Sequence, residues 1–196
     1  MHKKIPCLFL IVLVLTGCVT RQPRHLDNVC RIFRQYPAWY ADTLDVQRRW
    51  RVPVAVQMAI MHQESKFDAQ AMPPRRRIFG VIPWTRPSTA YGYAQALNGT
   101  WALYKHSQAR YFASRENFSD AVDFIGWYAN LANRRAGIQR NDPYSLYLAY
   151  HEGIGGYQQR TYLRKRWLIQ VAHKVSSRAH LYHAQLNTCT KAKPYK

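Results

Sequence analysis

The chain has 196 residues, and its 29 lysines and arginines against 10 acids give a formal net charge of +19. Such a charge implies anionic surroundings, and the length suits one domain with a real core. The scarcity of acids excludes most of the chain as a source of a catalytic glutamic acid, because only Glu64, Glu116 and Glu152 exist.

The N-terminus reads as an export signal. Lys3 and Lys4 precede an apolar run at residues 8–15 (LFLIVLVL), and small residues close it. That layout is a signal peptide over residues 1–17, its apolar run being shorter than the roughly 20 residues a membrane span needs. Leu15-Thr16-Gly17-Cys18 resembles a bacterial lipobox, which implies cleavage before Cys18 and acylation of that cysteine. Val19 rather than aspartate follows it, and resemblance to Gram-negative lipoproteins then favours the outer membrane, with the body facing the periplasm. Residues 18–26 form a lipid-anchored tether, and the eight residues after Cys18 reach at most about 28 Å.

Removing Lys3 and Lys4 with the signal leaves 179 residues with 27 basic groups against 10 acidic, a net charge of +17. Nucleic acid is the first partner such a charge suggests, but export makes the cell envelope the better one. Cys7 leaves with the signal and Cys18 carries lipid. Cys30 and Cys189 remain, and two thiols in an oxidising compartment suggest a disulfide. Neither CxxC nor HExxH spacing occurs, so no metal site and no cofactor are expected.

Residues 27–196 read as an all-α domain with little or no β. Helices are expected over 27–36 and 38–50, separated by Pro37. A third begins at Pro53, and its stretch VAVQMAIMHQES is apolar nearly all round, which marks a buried central helix ending near Glu64 and Ser65. Residues 69–91 hold four prolines, Arg75–Arg77 and no periodicity, so they form a long loop. Asn98 caps a helix through Trp101, Leu103 and Tyr104. Ser119 caps another, with Asp120 and Asp123 in its first turn, Arg134 and Arg135 in its last and Gly137 beyond; Ala121, Ile125, Tyr128 and Ala132 form its apolar face. Asp142-Pro143 opens a short helix ending at Gly153. After the glycine turn at 153–156, a long helix carries Leu163, Trp167, Val171, Val175 and Tyr182 inward.

Three short motifs fall at the expected helix ends and turns: Gln63-Glu64-Ser65-Lys66-Phe67-Asp68, Gly92-Tyr93-Ala94-Gln95 and Ala149-Tyr150-His151-Glu152-Gly153. Their order and kinds resemble the three signatures of lysozyme-like lytic transglycosylases of the soluble-lytic-transglycosylase superfamily, over roughly residues 50–155. The resemblance implies an orthogonal helical lysozyme-like fold. It also implies cleavage of the β-1,4 bond between MurNAc and GlcNAc in peptidoglycan, leaving 1,6-anhydroMurNAc ends. Glu64 then acts as general acid and afterwards as base. An acid at the end of an apolar helix suits that role, because burial and the negative end of the helix dipole both favour the protonated carboxyl.

By the same resemblance Ser65 orients the substrate, Gln95 lines the glycan groove and Tyr150 stands beside the acid, its hydroxyl available to Glu64 or to substrate. Tyr93 replaces an aliphatic residue of the family pattern, and an aromatic there can stack on a sugar, though core packing is the commoner use. Glu152 stands where the family has a small residue; contacting sugar, holding Tyr150 and ending a helix are its three open readings. Asp68 suits a cap on the helix end or the following turn, and His62 and His151 suit structural roles. In the loop, Trp84 and Tyr91 can stack on sugars and Arg75–Arg77 can meet peptide carboxylates. Two rival functions remain. A goose-lysozyme-like hydrolase of the same bond would use a second carboxylate, and a non-catalytic envelope-binding lipoprotein would need none.

Overall fold

A computed structural model describes residues 21–75, 77–78, 82–83 and 87–192. The expected signal peptide over residues 1–17, Cys18, Arg76 and Trp84 lie outside these residues, and for Arg77 only the backbone is described. The described fold is all-α, as expected for a lysozyme-like domain. Its helices are α1 (Val29–Gln35), α2 (Pro37–Trp50), α3 (Val54–Ser65), α4 (Asn98–Ser107), α5 (Phe118–Ala136), α6 (Pro143–Gln158) and α7 (Arg166–Ala192). A 3-10 turn at Thr161–Arg164 joins the last two. Within the expected 69–91 loop, β1 (Arg77–Ile78) and β2 (Ile82–Pro83) form a small antiparallel pair.

The helices start where local chemistry satisfies their free N–H groups. Asn28 accepts from Arg31 N at α1, Pro37 occupies the first turn of α2, and Asp142 accepts from Ser145 N ahead of Pro143 at α6. At α5 the cap is Asn117, which accepts from Asp120 N, rather than the expected Ser119. At α4, Leu97 is the cap position and Asn98 the first helical residue. Both differences are one or two residues; at α5 Asn117 and Ser119 are both able to cap, whereas at α4 the cap position makes no side-chain hydrogen bond. Gly137 adopts φ 67° and stops α5 as its position implies.

Helix α3 is the centre of the core. Every residue from Val54 to His62 is buried, which explains its lack of a polar face. α5 is amphipathic, and Ala121, Ile125, Tyr128 and Ala132 are all buried as expected. Asp123, placed by its sequence position in the first turn, is instead a buried hub. It accepts from Trp50 Nε1 (2.8 Å) and the Tyr104 hydroxyl (2.7 Å) and pairs with Arg110 (2.8 Å), so the buried charge is fully partnered.

α6 is interrupted at Gly153 (φ 76°, ψ 156°), at the residue where a helix end is expected, but the chain resumes helical form to Gln158. On α7 the inward face is Leu168, Ala172, Val175, Ala179 and Tyr182. Leu163 and Trp167 are 58% and 53% exposed, which corrects their expected inward placement. Leu163 belongs to the 3-10 turn ahead of the helix, and Trp167, eight residues before Val175, stands about 80° from it around α7.

α7 packs along α1, α3 and α6 and closes the domain, with Cys30 of α1 bonded to Cys189 of α7. The bridge spans 159 residues of sequence, a loop whose closure stabilises by up to about 5 kcal/mol in the chain-entropy account. Residues 21–26, part of the expected tether, lie on the body. Pro23 is buried, Tyr36 donates to Arg21 O (2.6 Å), Gln22 Nε2 donates to Lys66 O (3.1 Å) and Tyr182 donates to Leu26 O.

Candidate active site

The site is assembled where three helix ends and turns converge. The last turn of α3 carries Glu64, and the chain leaves it through two consecutive left-handed residues, Lys66 (φ 55°) and Phe67 (φ 63°). Such conformations cost about 1–3 kcal/mol each outside glycine. Here they are held by the fully buried Phe67 ring, by Phe67 N–H donating to Ser65 Oγ (3.1 Å), and by Gln22 reaching Lys66 O. Asp68 then accepts from Gln70 N (2.9 Å), the turn-capping role expected of it.

The second segment is a tight loop. Gly92 has φ 75°, and a Cβ there would lie 2.3 Å from Arg115 O, so the position requires glycine. Gln95 is itself left-handed, and its side-chain amide donates to Ala71 O (2.8 Å) and Gly92 O (2.9 Å). Its N–H groups thus brace the loop, leaving the amide oxygen as its acceptor. Gln95 also lines a cavity of about 210 Å³ together with Tyr150, Glu152 and Gly153. Tyr91 donates to Glu116, and the Arg115 guanidinium lies over its ring.

The third segment lies on α6. Tyr150 donates to Ala94 O (2.6 Å), which ties α6 to the Gly92 loop. Tyr128 of α5 donates to Ala149 O (2.9 Å) and fixes the same turn from behind. Glu64 is electrostatically coupled to Tyr150, yet the hydroxyl that hydrogen-bonds the Glu64 carboxyl belongs to Tyr147. Tyr147 escaped the motif reading. Its spacing of three from Tyr150 in YSLYLAY, which puts both rings on one helix face, is the signal that finds it.

Burial pushes the Glu64 carboxyl up to about 7, against the pull of the Tyr147 hydrogen bond and the Lys66 charge. A carboxylic acid poised there is protonated in a substantial fraction of molecules at neutral pH and can donate a proton. Burial likewise pushes the hydroxyls of Tyr147 and Tyr150 up, so both remain neutral donors. Burial, reinforced by Lys66 and Arg178, brings the His62 ring down to about 3, in keeping with a structural histidine.

Glu152 is chemically the opposite of Glu64. Burial alone would raise it, but Lys165 Nζ (2.7 Å), Thr161 Oγ1 (2.6 Å) and His151 Nδ1 (3.1 Å) together hold it at about 2. Both carboxylate oxygens are engaged and its side chain is 5% exposed, so it pins the end of α6 to the start of α7. Of its three readings, these contacts fit the structural one at the helix end best, while Glu152 still lines the cavity beside Gln95 and Tyr150.

Two further expectations change. Tyr93 is 1% exposed and packs edge-on against Trp39 and Phe118, both at 5.7 Å, so its ring presents no face to a sugar. Ser65 is buried, and its hydroxyl is taken up by the backbone of the turn. Each serves the site by shaping the backbone that carries Glu64 and Gln95.

A family model described as Transglycosylase SLT domain matches residues 6–189. Comparison with curated proteins and with solved structures finds no match.

Proposed function

Because the chain belongs to the transglycosylase SLT domain family, we propose that it is a peptidoglycan lytic transglycosylase in which Glu64 alone performs the acid and base steps. The observation that carries this reading is the pairing of a Glu64 carboxyl poised at about 7 with the removal of Glu152 into an ion pair.

Protonated Glu64 gives its proton to the glycosidic oxygen as the C1–O bond breaks, so GlcNAc leaves as a neutral alcohol. The MurNAc acetamide shares the positive charge that develops at C1. The carboxylate formed then takes the proton of the MurNAc C6 hydroxyl, whose oxygen bonds to C1. Glu64 ends protonated, water is not consumed, and the product is a 1,6-anhydro sugar. The nucleophile already sits on the reacting sugar, so its effective molarity is high and a second carboxylate is unnecessary. Tyr147 holds the Glu64 carboxyl in place through both steps, and Gln95 offers its amide oxygen to the glycan. A hydrolase using two carboxylates across the bond would need a free partner for Glu64. Glu152 is committed to Lys165 and Thr161.

The Cys18 lipobox adds an anchor. Acyl chains there, each contributing about 0.8 kcal/mol per buried CH₂, would hold the enzyme on the periplasmic side of the outer membrane. Digestion of purified sacculi tests the activity: wild type should release muropeptides with anhydro ends and Glu64→Gln should release none. Reducing MurNAc ends from wild type, or undiminished cleavage by the variant, would overturn it.

A further inference from the structure

A second concave surface lies on the far side of α3 from Glu64. It is a groove of about 470 Å³ between α3 and α7, lined by His62, Gln63 and Lys66 on one side and by Lys174, Arg178 and Leu181 among others on the other. None of its lining residues is acidic. The nearest acid in contact is Asp27, which pairs with Arg178 at 2.6 Å. Lys66 and Lys174 therefore stand in a concave surface with more positive charge than that one acid answers. The charge is felt locally: Lys66 is held below the usual ammonium range by burial and then by Arg178, with Lys174 adding to it. Leu181, 44% exposed, puts an apolar side chain beside these cations.

Helical geometry turns most of this groove away from the chemistry, with Lys66, at the end of α3, felt on both sides. At about 100° per residue, His62 and Glu64 point about 200° apart around α3, so one faces the groove and the other faces Tyr147. The N-terminal segment borders the groove side. Gln22 bonds Lys66 O, Leu26 O accepts from Tyr182, and Asp27 O accepts from Gln185 (2.9 Å). Cys18 precedes Arg21 by three residues, at most about 11 Å of chain. Whatever holds Cys18 therefore lies close to this face.

We infer that the α3–α7 groove is a docking face for the phosphate headgroups of anionic phospholipid in the membrane that holds the N-terminus. This rests on the lipid-anchor reading of Cys18. Cations carry the phosphates and Leu181 meets the boundary of the acyl region. With the groove on the bilayer, the opposite face of α3 turns Glu64 towards the glycan. The short strap of residues 21–27 then sets the orientation of the enzyme as well as tethering it.

The test uses the full lipidated chain in phosphatidylcholine vesicles with and without phosphatidylglycerol, read by amide hydrogen exchange. Phosphatidylglycerol should protect residues 62–66 and 173–181, and neutral vesicles should not. Each basic side chain at an anionic surface contributes about fivefold to occupancy. Lys66→Gln with Lys174→Gln, which leaves the Arg178–Asp27 pair intact, should therefore cut the docking equilibrium constant about thirtyfold and remove most of the protection. Arg134→Gln with Arg135→Gln, at the exposed end of α5, removes the same charge elsewhere and should preserve it. Protection that is absent in wild type, equal on neutral vesicles, retained by the groove variant or lost equally by the α5 variant would overturn the proposal. So would equal protection by inorganic phosphate in detergent, which would make the groove a free-anion site. The mass of the N-terminal peptide reports Cys18 acylation separately, so failure of the anchor reading is distinguishable from failure of the groove.

Discussion

Replacing Glu64 by glutamine should make the protein more stable at alkaline pH. Burial holds the Glu64 carboxyl at about 7 against 4.5 for the ordinary group. The folded state thus prefers the protonated acid. Below about pH 4.5 both folded and unfolded chains carry the proton, and the stabilisation is fully present. As pH rises through 7 the unfolded chain ionises readily while the folded one resists, and the stabilisation is lost. A rise of this size is worth about 3 kcal/mol. Glutamine resembles the protonated carboxyl at every pH and keeps an acceptor for Tyr147, so it escapes the loss. Urea unfolding of both proteins between about pH 4 and pH 9 measures the difference. Glu64→Gln should match wild type at the acid end, gain stability between pH 4.5 and 7, and level off about 3 kcal/mol ahead. A difference that does not change with pH, or that favours wild type at pH 8, would refute the placement of Glu64 in a desolvated site.

Tyr147→Phe removes the hydrogen bond that draws Glu64 down, so the alkaline limb of the kcat/KM profile should move to higher pH and kcat should fall roughly tenfold through lost positioning; an unmoved limb would separate Tyr147 from the acid. Glu152, held at about 2, contributes stability that is present above 4.5 and lost as pH falls towards 2. Since Lys165 is half-exposed, Glu152→Gln should cost only about 1–2 kcal/mol at pH 7 by denaturation, with anhydro products retained; a switch to reducing ends would assign Glu152 to the chemistry. Cys30→Ser with Cys189→Ser should lower the unfolding free energy by up to about 5 kcal/mol, and a loss below about 1 kcal/mol would show that the bridge between α1 and α7 closes little.

The parts of this account legible in the sequence are those set by strong local signals. The all-round apolar stretch ahead of Glu64 announces a buried helix. Asp142-Pro143 and Gly137 mark helix ends through capping and left-handed geometry, and Cys30 is bonded to Cys189 as expected. Less legible are features decided by tertiary competition. Tyr93 is an aromatic within a substrate motif, but Trp39 and Phe118 offer it a dry site that outweighs an exposed one. Asn117 and Ser119 are both able caps, and only the packing of Phe118 selects the first. Trp167 sits at spacings of four from Val171 and Val175, but repeated steps of four drift around α7, and the neighbouring Leu168 takes the inward place. Glu152 reads as a second carboxylate because Thr161 and Lys165, nine and thirteen residues away, meet it only once the chain has turned past Gly153. Tyr147 was hidden for the converse reason: its role depends on which face of α6 meets α3.

Everything in the mechanism turns on Glu64 working without water, and isotope labelling tests that most directly. Sacculi digested by wild type in ¹⁸O-water should yield MurNAc ends that are anhydro and free of ¹⁸O, with Glu64→Gln yielding neither labelled nor unlabelled ends. Incorporation of ¹⁸O at C1 of the released MurNAc would show that water is the nucleophile and would contradict the single-carboxylate transglycosylase account.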